Sequence, residues 1–249
     1  MKRNCAGIKP PLRLGLDGGN ADTVFNFMAH SVFLTGGTGY MGTRLIPLLV
    51  KRGYTVRALV RASSEKKLPT GASGVVGDAL AMDSYTEEVR GADTLVHLIG
   101  VPHPSPAKAK QFHDVDLVSI KVAIKAARGA GVRHFIYLSV AQPAPVMKEF
   151  IAVRSAGETM IRESGINATL VRPWYVLGPG HRWPYAILPI YWILETIPAT
   201  RESAQRLGLI TINQMLSALV WAVENTPSGV QILDVPRIRE LSRTSPSRR

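Results

Sequence analysis

The chain has 249 residues, 46% apolar and 19% charged, which is enough for one sizeable hydrophobic core. Its one cysteine, Cys5, rules out an internal disulfide framework, and no apolar run reaches the ~18 residues that a membrane-spanning helix needs. The formal net charge of +12 invites a nucleic-acid partner, yet half of that excess lies in residues 1–30 and 237–249, whereas a real footprint clusters on a folded face with stacking aromatics. The charge therefore reads as solvated basic ends, nucleic-acid binding is disfavoured, and the expected location is cytoplasmic.

Residues 1–27 differ from the rest of the chain. Pro10-Pro11 and Gly18-Gly19 break every helix or strand pattern, and there is no continuous apolar core of the kind a secretory signal needs. They read as a disordered extension, or as a segment upstream of a native start at Met28. From Ser31 onward, short apolar runs alternate with helical patterns. Strands are expected at Val32–Leu34, Val56–Val60, Gly74–Val76, Thr94–Ile99, Phe135–Val140 and Ala168–Val171. Helices are expected at Met41–Arg52, Val115–Ala130 and Met147–Glu163, the last two closed by Gly131 and by Ser164-Gly165. A looser region runs from Trp174 to Leu207, and a strand–helix–strand succeeds it at Leu209–Thr211, Asn213–Glu224 and Val230–Leu233. The alternation implies an α/β fold, a doubly wound parallel sheet with helices on both faces. The expected organisation is an N-terminal extension (1–27), a core (28–173), a substrate-side region (174–236) and a basic tail (237–249).

The first strand runs straight into Thr35-Gly36-Gly37-Thr38-Gly39-Tyr40-Met41-Gly42, and a helix comes next. Gly36, Gly39 and Gly42 have the G-x-x-G-x-x-G spacing of a dinucleotide cradle. The first glycine permits the tight turn, the second lets the backbone approach a pyrophosphate, and the third lets the helix pack on the sheet. Free N–H groups at the helix start then face the phosphates. The competing reading is a glycine-rich turn without a ligand, but the placement at the first βα junction favours the cofactor.

A carboxylate about 20 residues past the glycines usually marks NAD, by binding the ribose hydroxyls. Here that place holds Arg61, succeeded by Ser63, Ser64 and Lys66. A cation suits a 2′-phosphate, so NADP(H) is favoured over NAD(H). Asp78, after the third strand, either accepts from an adenine amino group or caps a turn. His97 reads as packed inside its strand. Gly100 lets the chain pass close to the cofactor.

These pieces resemble the short-chain dehydrogenase/reductase superfamily, in its extended and atypical branches, over roughly Ser31 to Leu233. The likeness is carried by the Thr35–Gly42 turn, Gly77-Asp78, Leu95–Gly100, Leu138-Ser139, Arg172-Pro173 with Gly178-Pro179-Gly180, and Leu209–Asn213. It implies a Rossmann-type core, with Pro173 beside the cofactor. It also implies catalysis by a serine, matched by Ser139, and by a Tyr-x-x-x-Lys pair on the next helix. That pair's place is taken by Phe150 and Arg154. Phe150 cannot transfer a proton, while Arg154 keeps a charge that can hold the ribose. Tyr175 and His181 are the replacement candidates for the acid, and Glu158 is expected to pair with Arg154. The resemblance leaves two readings open. One is an NADP(H)-dependent oxidoreductase on a small carbonyl-type substrate. The other is a non-catalytic NADPH-binding regulator or accessory subunit that works through a protein partner, as the resemblance to NmrA-like regulators and to the dehydrogenase-like subunit of respiratory complex I implies.

Overall fold

The structure is a computed structural model and describes residues 30–180 and 197–244. Seven strands form one parallel sheet: β1 (Ser31–Thr35), β2 (Thr55–Val60), β3 (Ala72–Val76), β4 (Thr94–His97), β5 (His134–Leu138), β6 (Ala168–Val171) and, after two further strands, β9 (Val230–Leu233). The spatial order is β3-β2-β1-β4-β5-β6-β9, so the winding reverses between β1 and β4. Short β7 (Tyr175–Leu177) and β8 (Leu209–Thr211) pair in parallel beside this sheet.

Alternation along the buried strands builds the two layers. Val32 and Leu34 of β1, Val96 of β4, Ile136 of β5 and Val171 of β6 point to one face. Phe33, Leu95, Phe135, Tyr137 and Leu170 point to the other. The first face is covered by α1 (Gly42–Lys51), through Leu45, Ile46 and Leu49, and by two helices from the C-terminal part of the chain. The second is covered by α2 (Thr86–Val89), α4 (Val118–Gly129) and α5 (Lys148–Ser164), with the short α3 (Ala109–Gln111) preceding α4. Each fully buried Phe or Leu of these layers contributes roughly 1.5–3 kcal/mol by leaving water.

Besides short elements not expected from the sequence, two expected segments take another form. The helix expected from Val115 is regular only from Val118, because Phe112–Leu117 is wound as a π-helix. The wider turn carries the side chains of Phe112 and Asp116 inward, where both are buried. The expected basic tail is also structured as far as Thr244. After α6 (Pro198–Arg206) and α7 (Ile212–Glu224), the chain forms α8 (Val235–Thr244). Val235, Ile238 and Leu241 recur on one side of α8 and are buried in the first-face core, so the arginines between them are the outer side of an amphipathic helix. Thr211 and Gln214 close the start of α7 with a reciprocal capping box, which fixes where β8 turns into that helix. Among the described residues, no helix is long and apolar enough to cross a membrane.

Candidate functional site

In an open parallel sheet, ligands bind outside the carboxyl ends of the strands where the winding reverses. Here that place is the crevice between β1 and β4. The register pairs Thr35 with His97, so the Gly36–Gly42 turn faces the Leu98–Gly100 segment. Gly36 has φ +80°, and a Cβ there would come within 3.1 Å of the Leu98 carbonyl carbon. Gly39 N–H donates to the Gly36 carbonyl at 3.0 Å and closes the turn. A Cβ on Gly42 would overlap the Gly36 oxygen, so only glycine lets α1 start against its own turn. No side chain caps the first turn of α1. Thr43 and Arg44 N–H turn back onto the Gly39 and Met41 carbonyls at 3.0 and 3.1 Å, and the helix start, uncapped by any side chain, fits a pyrophosphate at the crevice. Gly37 sits over β2, where a Cβ would meet that of Ala58 at 2.8 Å. Tyr40 stacks under the Arg44 guanidinium at 4.1 Å, and its hydroxyl fills the space that a Gly178 side chain would need. The Gly178-Pro179-Gly180 segment therefore passes directly over the glycine turn.

On the β2 side, the register pairs Thr35 with Leu59, which brings Arg61 level with the start of the turn. Arg61, Ser63 and Lys66 are exposed on the turn of 3-10 helix Ala62–Lys67, and Ser64 is buried. Among the described residues nothing pairs with the Arg61 guanidinium. The Asp78 carboxylate accepts from the Leu80 N–H at 2.9 Å, so it caps its own turn while remaining exposed.

On the β5 side, the structure corrects the sequence reading at two residues, Arg154 and Glu158. Arg154 is 5% exposed and does not reach outward to hold a ribose. Its guanidinium donates to the Leu138 carbonyl at 2.8 Å, to the Ile99 carbonyl at 3.4 Å and to Asp116 Oδ1 at 3.1 Å. It thereby ties the carboxyl ends of β4 and β5 to the π-turn. A Cβ on Gly100 would overlap Arg154 Nη2, so its missing side chain makes room for this contact. Glu158 does not pair with Arg154. Its carboxylate accepts two donors from Arg172, at the end of β6, and accepts the Ser139 hydroxyl at 2.6 Å. Phe150 packs its ring on Phe112 at 5.1 Å between centroids, with the Arg154 guanidinium 5.2 Å from its own centroid.

The electrostatics are governed by burial. Desolvation pushes the Asp116 carboxyl up, against the pull of Arg154 and of the Val101 N–H that it accepts at 3.0 Å. Asp116 Oδ2 and Arg154 Nε have no partner among the described residues. His97 links the halves, bonding Thr35 Oγ1 at 2.9 Å and Ser119 Oγ at 3.4 Å. Burial, reinforced by the Arg154 charge, drives its pKa down to about 3, so it stays neutral and packed. Pro173 accepts from the Ala141 N–H at 2.9 Å beyond the end of β6. Tyr175 lies half-buried in β7, edge-on to Trp174 at 5.7 Å. His181 is outside the described residues, as are Trp183 and the apolar stretch at 187–194. A cavity of about 650 Å³ lies at the other end of the sheet, among His30, Asp93 and Asn167, away from the crevice.

A family model described as NAD(P)H-binding matches residues 36–182, from the glycine turn past β7. The chain belongs to this NAD(P)H-binding family. It is 26% identical over 209 residues to the ceramide reductase of Caulobacter vibrioides, spanning 83% of this chain and 65% of that one. It is 28% identical over 206 residues to the mitochondrial NADH-ubiquinone oxidoreductase 40 kDa subunit of Neurospora crassa, spanning 80% of this chain and 54% of that one. The chain thus covers less than two thirds of the length of either relative. Among solved structures, the fold matches the Bordetella bronchiseptica enzyme WbmH in complex with NAD+ with a TM-score of 0.63, at 21% identity, over 86% of this chain and 79% of that one.

Asp116, the partner of Arg154, and Arg172, the partner of Glu158, have no such role in the sequence reading. The one available signal is Asp116 itself, an acid set among Val115, Leu117, Val118 and Ile120.

Proposed function

We propose that this chain binds NADP(H) and acts through a protein partner, as a sensing, assembly or accessory subunit, without reducing a carbonyl substrate. One observation carries the reading. Ser139 spends its hydroxyl proton on Glu158, and Phe150 has no proton to give, so neither family position can donate to a carbonyl oxygen. A bound nicotinamide would supply hydride, but hydride transfer to a carbonyl leaves an alkoxide that needs a donor. Gly36, Gly37, Thr38, Gly39, Tyr40, Met41 and Gly42 would hold the pyrophosphate. Arg61, with Ser63 and Lys66, favours a 2′-phosphate because its charge is unpaired among the described residues and stands beside the turn. The Neurospora crassa relative, named as a subunit of a larger oxidoreductase, supports the partner reading.

The test is NADPH binding, followed by its own fluorescence, together with oxidation at 340 nm across aldehydes, ketones and quinones. Saturable binding without oxidation is expected. Oxidation that disappears in Tyr175→Phe or His181→Ala would overturn this reading in favour of an oxidoreductase with a displaced proton donor.

A further inference from the structure

We infer that the cavity at the amino ends of the strands is a second ligand site, one that takes a small organic carboxylate. It does not depend on the proposed cofactor role, because the crevice lies a full strand length away, roughly 15 Å.

At about 650 Å³ the cavity is in the size range of small-molecule sites. The turns that leave α4, α5 and α7 and the segments that enter β4, β5 and β6 form its walls. What it can bind follows from setting aside the polar groups already engaged. Asp93 accepts from Arg133 Nη2 and, at 2.9 Å, from the Ser31 N–H. Glu224 is paired with Arg52 at 3.1 Å. Ser164 Oγ donates to the Ile161 carbonyl and accepts from the Ile166 N–H. Thr226 Oγ1 shares its bond with His134. The side-chain groups left over are donors. Asn167 Oδ1 accepts from the Gly229 N–H at 2.8 Å, so the amide is fixed with Nδ2 unpartnered among the described residues. The Tyr54 hydroxyl is equally uncommitted there, and the remaining nitrogens of Arg133 are too.

Charge selects the class of ligand. Both lining acids have an arginine, whereas Arg128 has no counter-charge among the described residues. One unspent positive charge calls for one negative charge, and a carboxylate supplies it in a plane that matches a guanidinium. A phosphate monoester carries about two negative charges at neutral pH and would set the surplus against Asp93 and Glu224. The ends of α4 and α5 also point carbonyls here, which works against an anion. Part of that effect is already met, since Gly131, Val132 and Gly165 N–H groups donate to carbonyls of those last turns. Val132, Ile166 and Val223 supply an apolar wall for the body of the ligand.

Benzoate and benzamide share a body and differ in charge. Each is titrated by calorimetry into the full chain saturated with NADPH, which keeps the probes out of the crevice. Benzoate is expected to bind about tenfold more tightly than benzamide, the weight of one charge-assisted contact. Phenyl phosphate should bind more weakly than benzoate. Arg128→Gln should bring benzoate down to the level of benzamide, and this side chain is exposed, so the variant leaves the core alone. Asn167→Asp is the sharper variant. The new carboxylate still accepts from the Gly229 N–H, but the spare donor is gone and a like charge takes its place, so benzoate should fall below benzamide. Benzoate affinity that is unchanged in Arg128→Gln, equal affinities for benzoate and benzamide, tighter binding of phenyl phosphate, or binding of no probe would overturn the inference.

Discussion

Arg61 and Arg154 stand on opposite sides of the β1–β4 crevice and are held in opposite ways. Arg61 is exposed beyond β2, with nothing among the described residues paired to its guanidinium. Arg154 is buried beneath Gly100, with its two terminal nitrogens bonded to two carbonyls and Asp116. The side that would carry a cofactor phosphate thus keeps a charge in reserve, as a binding site must. The side where the family does its chemistry has turned its charges on one another. Arg154 with Asp116, and Ser139 with Glu158 and Arg172, form two closed sets that brace β4, β5 and β6 from α5 and the π-turn. On the proposed function, the ligand-facing half of the crevice stays open while the half where the family does its chemistry serves as scaffold.

The sharpest break of this contrast is Arg154→Met. It should cost about 3–5 kcal/mol of unfolding free energy, because it strands the Asp116 carboxylate in the interior. Arg61→Asp, although the larger change in charge, should stay within about 0.5 kcal/mol because its site is solvated. Urea denaturation of both variants measures the gap. A loss below about 1 kcal/mol for Arg154→Met would mean that the buried pair contributes no more than a surface one. Adding Asp116→Asn to Arg154→Met should return part of the loss, since it removes the stranded charge.

The halves are joined at His97, and a second expectation concerns that joint. Buried His97 and His134 have pKa values driven down to about 3 and about 4 by desolvation, below the ~6.5 of an exposed histidine. A depressed folded value means that the unfolded chain takes up the proton first. Their contribution is therefore complete above about pH 6.5 and is lost as pH falls from there toward 4. Each histidine should lose about 2 kcal/mol between pH 7 and pH 5, at roughly 1.4 kcal/mol per unit. Denaturation series at the two pH values read this, and His97→Asn should remove about half of the slope. A stability that stays flat over that interval would contradict neutral burial of both rings.

The same contrast explains what the sequence made readable. The Gly36–Gly42 turn is local: three evenly spaced glycines between a strand and a helix carry its meaning, and the structure gives each a steric reason. The strands were readable because buried parallel strands are short apolar runs. Asp116 was not, because a π-turn rotates it inward and nothing in Val115–Ala130 announces a change of helical pitch. Glu158 misled for the opposite reason. Its i+4 spacing from Arg154 suggested a pair, yet Arg172 arrives from the end of β6 with a two-point grip, and Arg154 finds one carbonyl at the end of β5 and one just past β4. The room that Gly100 leaves for Arg154 was not readable either. In α8, arginines hid a threefold apolar repeat. Each of these depends on which strand lies beside which, and only the fold supplies that.

The smallest expected effect is also the one that decides what the open side is for. If Arg61 meets a 2′-phosphate, Arg61→Asp should weaken NADPH by roughly tenfold, the value of a charge-assisted contact discounted for exposure. The new carboxylate sits at the end of β2, where NAD-binding folds place the acid that accepts from ribose hydroxyls, so NADH should hold or gain. Fluorescence titration of both cofactors gives the ratio, and the near-unchanged stability expected of this variant keeps it free of folding effects. Ser63 and Lys66 share the surface and would retain part of the phosphate affinity, so adding Lys66→Glu should deepen the shift. An NADPH-to-NADH ratio that does not move in either variant would remove Arg61 from the cofactor site. The open side would then be defined by the glycine turn alone.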